Sequence, residues 1–211
     1  MSYDVLAFGD SITQGYWDVE GGWLARIRRK FDQAAIDNNT MQASPLFYNF
    51  AVAAVISDDI LPGFEAEARI VINKWPSIVI FGIGINDSRI FNGQPVSTPI
   101  HFKENLEKLH TLAKKYTNNI IFMGLTPCDE RRTTLVPWGD HVYTNARIQE
   151  FDNVIKGVCT EQQAIYIDVM ESFIENGKIN AGLLIDGLHP NDAGRELMAK
   201  AVMAKLAEIL K

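Results

Sequence analysis

Cysteine is scarce in this chain, with Cys128 and Cys159 the only two among 211 residues. They could close one bridge at most. A chain of this length needs no disulfide framework, so free thiols in a reducing compartment are the default. Long apolar runs are absent as well, since none approaches the roughly 20 residues of a membrane span. Positive charge is in deficit, 20 Lys and Arg against 26 Asp and Glu for a net charge of −6. That balance argues against a large nucleic-acid or anionic-membrane surface. The short basic cluster Arg26, Arg28, Arg29 and Lys30 lies in a helical pattern and reads as a solvated helix face. Met1-Ser2-Tyr3-Asp4 lacks the basic segment and apolar core of a signal peptide, so the expected location is cytoplasmic. Internal repeats and low-complexity linkers are missing too, and a single domain over 1–211 is expected.

What is present is an ordinary globular composition, 47% hydrophobic and 22% charged. Short apolar runs alternate with longer amphipathic ones, which predicts βα units around a parallel sheet. Strands are expected at Asp4–Phe8, Phe47–Val52, Ser77–Gly82, Asn119–Leu125 and Ala164–Val169. Val79-Ile80-Phe81 and Ile120-Ile121-Phe122-Met123 show little polar alternation, as strands buried on both faces should. A helix is expected over Gly22–Ile36, with Trp23, Ile27, Phe31 and Ala34 inward. Another starts at Ser57, where Asp58 and Asp59 suit the positive end of a helix, and reaches about Asn73. Two more run from Pro99 to Tyr116 and from Asn145 to Gln162. The last, capped by Asn191, reaches Leu210 with Leu197, Ala201 and Leu206 inward.

Chemistry concentrates at three distant points. Ser11 follows the apolar run Tyr3 to Phe8 in Gly9-Asp10-Ser11, on a strand-to-helix turn at the carboxyl edge of the expected sheet, where open α/β folds bind ligands. Asn86 lies just past the third strand in Gly84-Ile85-Asn86-Asp87, and its amide can donate to an oxygen that turns negative in acyl transfer. Gly82 and Gly84 let the chain turn tightly there. Asp186 and His189 are three apart. One turn can bring the carboxylate to one imidazole nitrogen while the other points away, which fixes the tautomer and supports an imidazolium. Pro190 holds His189 in extended geometry. Each point alone has a plain reading: a solvated serine, an Asn-Asp turn, a helix cap. Together they supply a nucleophile, a polarising amide, and a base with its orienting carboxylate.

Gly9-Asp10-Ser11, Gly84-x-Asn86-Asp87 and Asp186-x-x-His189-Pro190 resemble, in order, the first, third and fifth blocks of the SGNH (GDSL) hydrolases. The resemblance implies an α/β fold, a flavodoxin-like three-layer α/β/α sandwich around a five-stranded parallel sheet. It implies Ser11 as nucleophile, His189 as base and Asp186 as its partner. It also implies an oxyanion hole from the Ser11 N–H, the Asn86 side chain and a backbone N–H of the second block. That block departs from the family: Asn49-Phe50-Ala51-Val52-Ala53-Ala54 lacks the usual glycine, and Ala54 takes its place by spacing. An N–H survives there, but a positive φ would be strained.

The expected reaction is cleavage of a small-molecule acyl ester through an acyl-enzyme, by a small-molecule esterase or a lysophospholipase-like acylhydrolase. It needs no metal or other cofactor. The carboxylates Asp10, Asp87 and Asp186 lack a matching histidine or thiolate set; Asp10 is expected to tie down the serine turn and Asp87 the Asn86 loop. Trp17, Trp23, Phe91 and Trp138 are the aromatic candidates for a substrate pocket, Trp17 and Phe91 foremost because they follow the two turns. The irregular stretch Pro127–Thr144 is expected to be a lid or substrate wall, with an ordered surface loop as the plain alternative. Arg131 and Arg132 within it hint at an anionic group on the substrate. The rival readings are a flavin- or phosphate-binding module using the turn after strand one, and an inactive ligand-binding domain on the hydrolase fold.

Overall fold

The computed structural model describes residues 2–72, 75–134 and 136–210. Its centre is a parallel sheet of five strands: β1 (Asp4–Gly9), β2 (Leu46–Asn49), β3 (Ser77–Gly82), β4 (Asn119–Met123) and β5 (Ile165–Ile167), in the order β2-β1-β3-β4-β5. Every residue of β1 and all but the last of β3 are buried, as their unbroken apolar runs require. Phe8, Phe81 and Phe122 stand at one level on adjacent strands, with ring centroids 5.8 and 5.0 Å apart. Phe64 packs on Phe8 at 4.9 Å from the helix above.

Five long helices cover the sheet: α1 (Gly22–Asp37), α2 (Ser57–Val71), α3 (Pro99–Lys114), α4 (Asn145–Gln162) and α5 (Asp192–Ile209). α1 packs with α5, while α2 packs with α3 and α3 with α4, which gives a helix layer on each face. This is the expected α/β/α arrangement. Among the described residues, no helix is long and apolar enough to cross a membrane. Cys128 and Cys159 are both free and buried, their thiols pushed up to about 11 and about 12 by burial.

Several local expectations are corrected. β2 stops at Asn49, short of Val52, because the Asn49 side chain takes over: its Oδ1 accepts the Ala51 N–H at 3.0 Å. β4 and β5 are likewise shorter than expected, and Leu125 N–H turns to the Asp152 carboxylate at 3.0 Å. On α1 the inward stripe runs Trp23, Ile27, Ala35, with Phe31 half-buried, and Ala34 faces solvent. On α5 Leu206 is buried as expected, but Met198, Ala199 and Val202 fill the stripe in place of Leu197 and Ala201, which are half-buried. Arg26 is not part of a solvated face: it is buried in an ion pair with Asp18, while Arg28, Arg29 and Lys30 are exposed. The expected end of α2 at Asn73 lies outside the described residues, and the helix is described to Val71.

Candidate active site

The strand order turns at β1 and β3, whose connections leave in opposite directions, and this opens a crevice at their carboxyl ends. Ser11 and Asn86 stand on the two loops that border it. The strand ends approach closely only because residue 9 is glycine: a Cβ there would lie 2.3 Å from the Gly82 carbonyl oxygen and 2.6 Å from Thr13 Oγ1. Asp10 then caps the one-turn helix Ser11–Gln14, its Oδ1 accepting the Ile12 N–H at 2.9 Å. This fixes Ser11 at the first position of the turn, where helix N–H groups have no carbonyl to meet inside the helix. Burial pushes the Asp10 carboxyl up to about 7 against that hydrogen bond.

Asn86 is held by its neighbours. Its Nδ2 donates to the Val55 carbonyl at 3.0 Å, and its Oδ1 accepts from Tyr143 Oη at 3.0 Å and Arg89 Nη1 at 3.4 Å. Burial keeps the Tyr143 hydroxyl protonated and able to donate. Asp87 turns the other way, accepting Ser57 N–H at 3.1 Å and Ser57 Oγ at 2.5 Å, which ties the Asn86 loop to the start of α2. Its carboxyl is pushed up to about 6 by burial, partly offset by those bonds.

His189 meets Ser11 across 178 positions of sequence. Ser11 Oγ and His189 Nε2 are 2.9 Å apart, and His189 Nδ1 lies 2.6 Å from Asp186 Oδ2. The carboxylate assigns the ring proton to Nδ1, which leaves Nε2 to accept from the serine. Asp186 Oδ1 accepts the Leu188 and His189 N–H groups at 2.9 and 2.7 Å, so one side chain fixes both the turn and the ring. Gly187 makes this turn at φ 96°, a conformation that L side chains rarely adopt. Burial raises the Asp186 carboxyl, but the bonds from the His189 ring and backbone hold it below the ordinary range.

These groups open into a cavity of about 260 Å³. Trp17, Trp138 and Tyr16 form its aromatic side, and Ala53, Ala54 and Leu188 add apolar lining. Trp17 and Ala54 both hold left-handed backbone, at φ 63° and 67°. Such strain at non-glycine residues collects at functional sites. A larger, more open depression of about 670 Å³ lies over Leu61 and Leu112 between α2 and α3, but it carries no paired nucleophile and base.

Trp17 and Trp138 therefore line the cavity, whereas Phe91 does not: it stacks behind His141 at 4.7 Å, and His141 takes the place at the wall. Trp23 is a core residue with no exposure. The stretch Pro127–Thr144, apart from Leu135, which lies outside the described residues, supplies Trp138, His141 and Tyr143 to the cavity lining. It contains the helical turn Glu130–Thr133 and the two-residue strand His141–Val142, which pairs with Ile90–Phe91. Arg131 and Arg132 do not line this cavity. Arg131 is paired with Asp129, and Arg132 donates to the Leu184 and Ile185 carbonyls, bracing the Asp186 loop. Sequence reasoning missed Tyr16, Arg89, His141 and Tyr143. Only proximity to Ser11 and Asn86 along the chain could have suggested the first two.

Residues 7–197 match the GDSL-like Lipase/Acylhydrolase family. A multidomain esterase of Ruminococcus flavefaciens is 26% identical over 98% of this chain, which spans 29% of that protein's length. Among solved structures, a lipase/acylhydrolase from Enterococcus faecalis superposes with a TM-score of 0.75 at 23% identity, covering 99% of this chain and 97% of its own. An acetylxylan esterase from Geobacillus stearothermophilus gives a TM-score of 0.74 at 20% identity over 96% and 93% of the two chains. These low-identity structures share the fold. The match over residues 7–197 carries the assignment: the chain belongs to the GDSL-like lipase/acylhydrolase family, a family of ester hydrolases.

Proposed function

We propose that this chain is a serine hydrolase that cleaves acyl esters of small molecules through an acyl-enzyme. The observation that carries the reading is the unbroken chain of contacts Ser11 Oγ–His189 Nε2 at 2.9 Å and His189 Nδ1–Asp186 Oδ2 at 2.6 Å, beside a cavity that Ser11 and His189 line. Ser11 Oγ attacks the ester carbonyl carbon as its proton passes to His189 Nε2. The imidazolium is stabilised by Asp186, whose carboxylate stays ionised through the step. The carbonyl oxygen becomes negative and is met by the Ser11 and Ala54 N–H groups and the Asn86 amide. When the tetrahedral adduct collapses, the C–O bond to the alcohol breaks and the alcohol leaves with the proton from Nε2. Water then repeats the steps on the acyl-serine, releasing the acid and restoring Ser11. Every group this sequence needs is a side chain or backbone N–H of the chain itself. Asp10 and Asp87 serve as supports for the serine turn and the Asn86 loop.

The cavity's volume, about 260 Å³, is at or below the low end of ordinary ligand pockets, which supports short acyl groups over long ones. Hydrolysis of p-nitrophenyl esters from acetate to long acyl chains tests both points, with Ser11→Ala as the control. Turnover by the parent that is highest on the short esters and lost in the variant is the expected result. Equal rates in parent and variant would remove Ser11 as nucleophile.

A further inference from the structure

Arg89 is the cation in the cavity wall, and among the described residues it has no carboxylate partner. Other arginines near the site have carboxylate or carbonyl partners, although Arg195 Nε and Nη1, like Arg89 Nε, are buried without a hydrogen bond. Arg131 is paired with Asp129, Arg26 and Arg195 share Asp18, and Arg147 donates to the Ser88 and Ser97 carbonyls at 2.6 and 3.2 Å. Arg89 reaches only neutral groups: Asn86 Oδ1 at 3.4 Å, a long contact, and the Tyr143 hydroxyl. Its Nε is buried without a hydrogen-bond partner. His141 beside it is held toward the neutral form by burial and by the Arg89 charge, so it does not share the cationic role near neutral pH.

A guanidinium with donors to spare, walled by tryptophan and tyrosine, is an incomplete half of a charge-assisted pair. Arg89 also touches the amide that faces the reacting carbonyl, so an anion it binds lies a short span from the scissile bond. We infer that the ester taken by this site carries an anionic oxygen group, of the carboxylate kind, which Arg89 binds while Ser11 attacks the ester carbonyl. The inference rests on the hydrolase reading for its chemistry, but the anion site is separable from it. The anion sits on either the acyl or the alcohol portion, and matched substrates tell the two apart.

The test compares anionic esters with neutral analogues of nearly the same shape, following acid release by titration. Monomethyl succinate against methyl 4-oxopentanoate places the charge on the acyl side. Acetoxyacetate against acetoxyacetone places it on the alcohol side. The readout is the ratio of kcat/KM within each pair, because a general loss through Asn86 cancels in it. The parent is expected to favour the anionic member of one pair by about tenfold to a hundredfold, the range of a charged hydrogen bond. Arg89→Met should erase that preference, and Arg89→Lys, which keeps the charge without the planar fork, should retain part of it. A ratio unchanged between parent and both variants would overturn the inference and leave Arg89 as a positioning residue for Asn86. In a second arm, quenching of tryptophan fluorescence in Ser11→Ala reports binding of the same four compounds without turnover. Arg89-dependent binding of an anionic member there, with no hydrolysis by the parent, would sink the hydrolase reading and keep the anion site. Equal binding of anionic and neutral members would sink the anion site whatever the parent hydrolyses.

Discussion

The floor and the rim of the cavity are made from one chain by different means. On the floor, Ser11, Asn86 and His189 are 7%, 3% and 7% exposed; the Ser11 and His189 turns are set by neighbours a few positions away, while the Asn86 loop is tied to Ser57 through Asp87. Asp10 holds the Ser11 turn through Ile12, and Asp186 holds the His189 turn through Leu188. On the rim, Trp17 and Trp138 are 63% and 44% exposed. The strained Trp17 segment is pinned from afar: Arg195, fully buried on α5, donates to the Tyr16 carbonyl, and Asp18 accepts Glu20 N–H at 2.9 Å and Gly22 N–H at 2.8 Å while pairing with Arg26. Local bonds thus set two of the three floor residues, whereas the wall adds to its local Asp18 bonds a charge from a distant helix. A fold built this way can change what it binds without disturbing how it reacts.

That separation can be broken most sharply at the floor. Ser11→Ala or His189→Ala is expected to lower kcat on a short p-nitrophenyl ester by roughly 10⁴-fold or more, with an unchanged circular dichroism spectrum. Asn86→Ala should cost about 10²–10³-fold in kcat, read in the same assay, because one oxyanion donor is lost. On the rim, Asp18→Ala leaves the buried Arg195 without its ion-pair partner and Arg26 with only the longer contact to Asp192. A stability loss of about 3 kcal/mol in urea unfolding is expected, with KM rising and kcat held within a few-fold. A fall in kcat as large as that of Asn86→Ala would show that floor and rim are coupled after all.

Effects on stability sharpen the picture. Asp10 and Asp87 titrate at about 7 and about 6 in the folded chain, above the ordinary 3.8. Between those values and about 4 the folded chain holds protons that the unfolded chain has released. Stability should therefore fall as pH rises through this window, by several kcal/mol in all, and Asp10→Asn should flatten the fall in thermal melts. Asp186 acts with the opposite sign: its depressed carboxyl contributes stability above about pH 4 that is lost on further acidification. Ala54→Gly is expected to give the smallest change, a gain of about 0.5–1 kcal/mol as the strain at φ 67° is relieved. Its kcat should stay within about twofold, since the N–H remains.

Much of this layout was legible before folding. Apolar runs at Val5 to Phe8 and at Ile78 to Phe81 require buried parallel strands, whereas the close approach at Gly9 and the left-handed turn at Gly187 emerge only in the fold. The spacing of Asp186 and His189 contained their hydrogen bond, because three residues can close only a small ring. Ala54 was legible as an oddity, an alanine where a glycine is usual, and its backbone indeed sits at positive φ. The rim was not legible. Phe91 follows the Asn86 loop as closely as Trp17 follows Ser11, yet pairing of Ile90–Phe91 with His141–Val142 turns it onto the back of His141. Arg131 and Arg132 hinted in sequence at an anionic substrate group, but in the fold one pairs with Asp129 and the other donates to the Leu184 and Ile185 carbonyls.

The sequence by itself determined the strand and helix periods, the three polar segments at sheet-edge turns, and the local bonds that orient their side chains. Those depend on forces that act within a few residues. Tertiary structure alone decided that Ser11 and His189, 178 positions apart, stand at 2.9 Å, and that Arg89 faces the cavity without a counter-charge. It also placed Tyr143 behind Asn86 and Arg195 behind Tyr16. Partners of that kind are chosen by which strand ends become neighbours in the sheet, and a one-dimensional pattern does not contain that geometry.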